Sequence, residues 1–80
     1  MMVRFFSSIK TITGTASVEI PHEKTIGDLA LSLSALYPKM QFDNDIIILI
    51  NGTNFYTLGG WETGLKPGDV IDILPVLIGG

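Results

Sequence analysis

Eighty residues with eight acidic and five basic side chains, a formal charge of −3, one His and no Cys leave room for one small domain. Without Cys there is no disulfide framework, thiolate metal site or cysteine nucleophile, and one His excludes a His-rich zinc site, so no metal and no bound cofactor are expected. A mildly acidic chain also lacks the basic footprint that a phosphate backbone needs, so nucleic acid is not an expected partner. The longest apolar run, Ile46 to Ile50, is far short of the ~20 residues that span a bilayer. Arg4 and Lys10 interrupt the N-terminal apolar residues, so no secretory leader is read there. No membrane partner is expected, and the cytoplasm is the expected location. The core is nonetheless well supplied, with 24 Ile, Leu and Val residues. Charged residues make up 16% of the chain, low against a typical ~25%. Such a domain either packs closely or keeps apolar surface for a partner.

In chain order, Met2 to Ile9 is rich in Phe and β-branched residues and reads as a strand, with Val3 and Phe5 on one face and Arg4 and Phe6 on the other. Lys10 to Gly14 closes it as a turn. Ala16 to Ile20 alternates, Val18 and Ile20 inward, and Pro21 ends the run. Thr25 is a good N-cap with Asp28 at the third helical position, and Ile26, Leu29, Ala30, Leu33, Leu36 and Tyr37 follow helical spacing. Pro38 disfavours helix at Tyr37 and stops it there. The aliphatic run Ile46 to Ile50 suits a central strand, apolar on both faces. Asn51-Gly52 signals a tight turn, and Phe55 to Leu58 reads as a short return strand. Gly59-Gly60-Trp61 and Lys66-Pro67-Gly68-Asp69 are turns flanking a short 3₁₀ or turn segment, and Val70 to Leu74 is the last strand, ended by Pro75. The order β-β-α-β-β-β specifies an α+β domain with one main helix on a mixed sheet, spanning residues 1–75, and a flexible tail over 76–80.

Catalytic constellations are sparse. His22 follows Pro21 on a connection with no Ser and Asp pattern around it, and reads as a surface His. Asp43 and Asp45 form a two-acid loop without further oxygen ligands, a solvated turn rather than a cation site. Gly59-Gly60 is followed by Trp61, not by the Lys-Ser/Thr of a phosphate loop. The chain is therefore expected to be no enzyme. The C-terminus is more informative. A frayed end is the ordinary reading of a terminus, but floppy tails are polar and this one carries Val76-Leu77-Ile78 before Gly79-Gly80. Two glycines have no side chains to obstruct a narrow channel. Their carboxylate, once made into a mixed anhydride with AMP, becomes an acyl donor. Such a tip suits insertion into another protein's active site.

Several segments together resemble a known family: Val3 through Gly14, the helix entry Thr25-Ile26-Gly27-Asp28-Leu29, Ile50-Asn51-Gly52, Leu65-Lys66-Pro67-Gly68-Asp69, and Leu74-Pro75-Val76-Leu77-Ile78-Gly79-Gly80. They are similar, in order and over essentially the whole chain, to the ubiquitin-like sulfur carriers, and specifically to the small subunit of molybdopterin synthase (MoaD-like). The resemblance implies a β-grasp fold and a non-catalytic carrier. An E1-like adenylyltransferase would use ATP to adenylate the Gly80 carboxylate, a sulfur donor would convert it to a thiocarboxylate, and the tail would deliver sulfur inside the molybdopterin synthase large subunit. The sequence departs from the family at Val76, where a second Pro is usual, and in the apolar pair Leu77-Ile78, which bears on the docking partner more than on the chemistry at Gly80. The long stretch between Gly52 and Leu65 is similar to archaeal members, some of which modify proteins. The alternatives are thus a modifier joining Gly80 to lysines of target proteins, or a sulfur carrier for tRNA thiolation or thiamine synthesis. A plain interaction module with an inert Gly-Gly end is the contrasting reading.

Strand parity suggests where a partner would dock. If Val3, Phe5, Ile71 and Ile73 face the helix, then Phe6, Val70, Asp72 and Leu74 share the opposite face. The expected partner interface is Phe6, Leu74, Pro75, Val76, Leu77 and Ile78, leading to Gly79 and Gly80.

Overall fold

In the computed structural model, which describes residues 1–43 and 45–76, the chain forms five strands, one main helix and three short helical segments. The strands are β1 (Met2–Phe5), β2 (Ser17–Glu19), β3 (Ile46–Ile50), β4 (Thr53–Asn54) and β5 (Val70–Pro75). They make one mixed sheet in the order β2-β1-β5-β3-β4, in which only the central β1–β5 pair is parallel. Taken by strands and main helix, the order is the expected β-β-α-β-β-β.

The main helix, α2 (Ile26–Leu36), starts where its sequence dictates: the Thr25 hydroxyl accepts the Asp28 amide at 3.2 Å. Asp28 also places a negative charge in the first turn, where the helix dipole favours it. Ile26, Leu29 and Leu33 are fully buried against the sheet, whereas Leu36, assigned by spacing to the same stripe, is 56% exposed. The helix ends at Tyr37, as the following proline requires. The Tyr37 ring meets Phe5 edge-on at 5.5 Å. From the sheet, Val3 and Phe5 of β1, Ile71 and Ile73 of β5, and Ile48 and Ile50 of β3 complete the core.

Two expectations are corrected. The first strand stops at Phe5 rather than running to Ile9. Phe6, Ser7, Ser8 and Ile9 form a turn closed by the Ile9 amide on the Phe6 carbonyl (3.1 Å), and a short helix α1 (Ser8–Thr13) replaces the expected turn over 10–14. Burial of Ile9, which the turn swings into the core, explains the change. A left-handed Gly14, its amide on the Lys10 carbonyl, ends α1. The second correction is at 55–58. The return strand is only Thr53–Asn54, because the Asn54 side chain accepts the Tyr56 amide and starts a 3₁₀ turn over Phe55–Thr57. That turn drops the Phe55 ring into the core, edge-on to Trp61 at 4.9 Å. A second 3₁₀ turn, Gly60–Glu62, falls earlier than the segment expected for one, mostly on the expected Gly59-Gly60-Trp61 turn. At the other end β5 includes Pro75, one residue beyond the expected limit, opposite Ile46.

The Asn51-Gly52 turn and the Lys66-Pro67-Gly68-Asp69 turn are tied to each other. Asn51 and Gly52 have φ of 50° and 87°, the paired positive values of a type I′ hairpin turn, which Asn and Gly tolerate best. The Asn51 side chain donates to Asp69 Oδ1 and accepts the Val70 amide, both at 2.9 Å. Asp69 Oδ2 accepts the Lys66 amide at 2.8 Å.

That amide bond first, and the Asn51 side chain second, hold the Asp69 carboxyl below its ordinary value of 3.8. A depressed native pKa means that the unfolded chain binds the extra proton. The stabilisation is therefore complete above the ordinary value and is lost as pH falls through the lower native one. Urea midpoints across the acid range are expected to fall on acidification, and Asp69→Asn should flatten that fall. A mutant curve parallel to wild type would exclude the mechanism. At neutral pH, Asp69→Ala should cost about 1 kcal/mol, a Tm drop of about 4–8 °C.

Ser7 carries the chain's strained backbone, with φ 55° and ψ −131°, the first central position of a type II′ turn that favours Gly. Its side chain makes no capping bond. Strain of about 1–3 kcal/mol, less the ~0.5–1 kcal/mol entropy cost of Gly, leaves a central net gain of about 1 kcal/mol, so Ser7→Gly is expected to raise Tm by about 4–8 °C. Ser7→Ala, which keeps the strain, should not.

Candidate functional site

The helix covers one face of the sheet and leaves the other uncovered, and register decides what that second face presents. Arg4 pairs across β1–β5 with Asp72, Asp72 pairs across β5–β3 with Leu49, and Leu74 pairs with Ile47. Cross-strand partners share a face. The open face therefore has an ionic row, Arg4 and Asp72, ending at Leu49, and beside it an apolar row in which Phe6 extends the line of β1 towards Leu74 and Ile47. The Phe6 amide still donates to the Ile73 carbonyl at 3.0 Å, so the residue remains attached to β5 although the strand has ended.

Between these rows lies an apolar groove of about 320 Å³, lined by Phe6, Ser7, Leu49, Asp72, Leu74 and Pro75. Phe6 is 42% exposed. Of the residues expected at a partner interface, the fold thus gathers Phe6, Leu74 and Pro75 into one concavity. Val76 continues from it, half-buried, with its amide on the Asp45 carbonyl at 2.8 Å, so the root of the tail is held against the start of β3. Leu77, Ile78, Gly79 and Gly80 lie outside the described residues.

Leu49 and the Arg4–Asp72 pair were not singled out by sequence reasoning. Parity alone signals Leu49, at the open-face position of a strand apolar on both sides, and puts Arg4 and Asp72 on that face, but their pairing follows only from the β1–β5 neighbourhood that the fold supplies. Arg4 Nε donates to Asp72 Oδ1, and Nη2 donates to Oδ2 at 2.8 Å, a two-point fork. These hydrogen bonds, and then the charge of Asp72, raise the Arg4 guanidinium above its already high ordinary value. The Arg4 Cζ stands 5.8 Å from the centre of the Phe6 ring, so the cation also rests on that ring.

The other candidates are local structure. His22 is exposed, its Nε2 2.8 Å from the Leu65 carbonyl oxygen, a spacing that makes this nitrogen the donor. Asp43 Oδ1 accepts the Asp45 amide at 2.9 Å, which makes the acidic pair a capped turn. Among the described residues no cluster of three or more His, Cys, Asp or Glu is placed to hold a metal ion, and no helix is long and apolar enough to cross a membrane.

Comparison with known proteins gives the family and the fold. The ThiS family model matches residues 3–80. The chain is similar to small archaeal modifier protein 3 of Haloferax volcanii, with 27% identity over 88 residues covering 98% of this chain and 96% of the relative. The solution structure of small archaeal modifier protein 1 from Methanosarcina acetivorans superposes with a TM-score of 0.85 and 33% identity, covering 99% of this chain and 94% of that one. A chain of the Amycolatopsis orientalis BexX/CysO complex has the same fold, with a TM-score of 0.82 and 24% identity over 99% of this chain and 98% of its own. A five-stranded mixed sheet gripping one main helix, as in these ubiquitin-like proteins, is the β-grasp fold, and with a family match over nearly its full length the chain belongs to the ThiS family of ubiquitin-like sulfur carriers.

Proposed function

We propose that the chain carries sulfur on its own C-terminus, as a substrate of partner enzymes rather than as an enzyme. In the first step the Gly80 carboxylate attacks the α-phosphate of ATP held by an E1-like adenylyltransferase, releasing pyrophosphate and leaving a mixed anhydride with AMP. Hydrosulfide released by a sulfur donor then attacks the acyl carbon, AMP leaves with the bonding pair, a proton is released, and the terminus becomes a thiocarboxylate. The Phe6–Leu49–Leu74–Pro75 groove is the surface that the activating enzyme and the acceptor both grip, with Val76, Leu77 and Ile78 passing Gly79 and Gly80 into their active sites. The observation that supports this reading is continuity: the apolar groove ends at Pro75, and the chain leaves it through Val76, four residues from Gly80. A side-chain thiol could not serve as the carrying group in a chain without Cys.

The proposed acceptor pathway is molybdopterin synthesis, with the large subunit of molybdopterin synthase receiving the tail. The support is the sequence resemblance, from the Val3–Gly14 opening to the Leu74-Pro75 exit. A second reading, conjugation of Gly80 to lysines of target proteins, is favoured by the similarity to two small archaeal modifier proteins.

Mass spectrometry of protein recovered from its own cells separates the two. A species heavier by the difference between a sulfur and an oxygen atom is expected for the carrier, and lysine-linked adducts for the modifier. Deleting Gly80 should abolish both, and a Gly80 deletion that leaves every product and phenotype unchanged refutes the proposal. Leu74→Glu, placing a charge in the groove, is expected to lower adenylation at least tenfold without unfolding the domain.

A further inference from the structure

Arg4 stands beside the groove, in contact with two of its lining residues, Asp72 and Phe6, with only one edge of its guanidinium engaged. Asp72 occupies the side edge through Nε and Nη2. The end edge, formed by Nη1 and the second hydrogen of Nη2, makes no hydrogen bond among the described residues. The Asp72 side chain is 12% exposed and that of Arg4 is 50% exposed. The carboxylate thus anchors the cation from within the sheet surface and the guanidinium is presented outward over Phe6. Fixing one edge of a rigid planar fork also fixes the other, so the free edge is oriented before any partner arrives.

Resting on the groove as the docking surface, we infer that the E1-like adenylyltransferase presents a carboxylate to the free end edge of Arg4, beside the apolar side chain that it seats between Phe6, Leu49 and Leu74. Covering the groove strips water from the N–H groups beside it, and donors left unpaired there oppose binding. Two parallel N–H groups match the two oxygens of one carboxylate, whereas a single backbone carbonyl satisfies them less completely. A partner carrying Lys or Arg at that point meets a like charge instead. Arg4 therefore selects among proteins that offer the same apolar contact.

The test measures binding of the intact chain to the organism's own E1-like adenylyltransferase by calorimetry at low and high salt. Arg4→Lys keeps the charge beside Asp72 but loses the fork. The loss of a charged hydrogen bond predicts about tenfold weaker binding, most evident at low salt, with little change in melting temperature. If Arg4→Lys binds like wild type while Leu74→Glu does not bind, the inference fails and the docking surface stands. If Leu74→Glu binds like wild type, the docking surface itself fails and takes the inference with it. Replacing the enzyme's surface Asp and Glu residues one at a time with their amides identifies the carboxylate. One such enzyme variant should bind wild-type and Arg4→Lys chains equally. If every variant preserves the difference, Arg4 acts only by holding Phe6, and the inference is overturned.

Discussion

The parallel pairing of β1 with β5 is the contact on which the other features depend. Val3 lies opposite Ile71 and Phe5 opposite Ile73, and all four are buried to within a few per cent. This row gives α2 its floor. Because side chains alternate along a strand, the same register also places Arg4 against Asp72 on the far side. One choice of register thus builds the core and the ionic row together. A slip of β1 by one residue against β5 would bring Arg4 into the core and turn Val3 and Phe5 outward, which explains why so small a domain holds a single alignment.

A second consequence is one of coverage. A single helix of 11 residues covers one face of five strands and no more. The uncovered face of β3 and β5 keeps Ile47, Leu49 and Leu74 without a second layer, which is where the low charge content and the surplus of aliphatic residues lead. Loops complete the other side: the aromatic group of Phe42, Phe55 and Trp61 packs in edge-on contacts beyond the end of the short β4.

The architecture was largely legible in the sequence because its signals are local and periodic. Thr25 with Asp28, the spacing from Ile26 to Leu33, the aliphatic run of β3 and the Asn51-Gly52 turn each name their element. The failures came where a tertiary or side-chain contact overrides propensity. Phe6 to Ile9 reads as strand by composition, but burial of Ile9 and the unusual backbone of Ser7 bend it into a helix. Phe55 to Leu58 has strand residues, yet Asn54 captures the Tyr56 amide and turns the chain inward. At the candidate site, parity was enough to bring Phe6 and Leu74 to one face. The fork between Arg4 and Asp72 was not legible, because it joins residues 68 positions apart whose pairing depends on strand order. That order cannot be read from periodicity.

The placement of β5 bears on how the domain responds to force. The strand that ends in the tail runs through the middle of the sheet, bonded to β1 on one side and β3 on the other, and Val76 adds one more bond to Asp45. Tension applied through the C-terminus acts along the strand axis, so both ladders are loaded in shear and their hydrogen bonds resist together rather than opening one at a time. Under the proposed role, in which partner enzymes handle the protein by its tail, the pull would fall on the strand bonded on both sides.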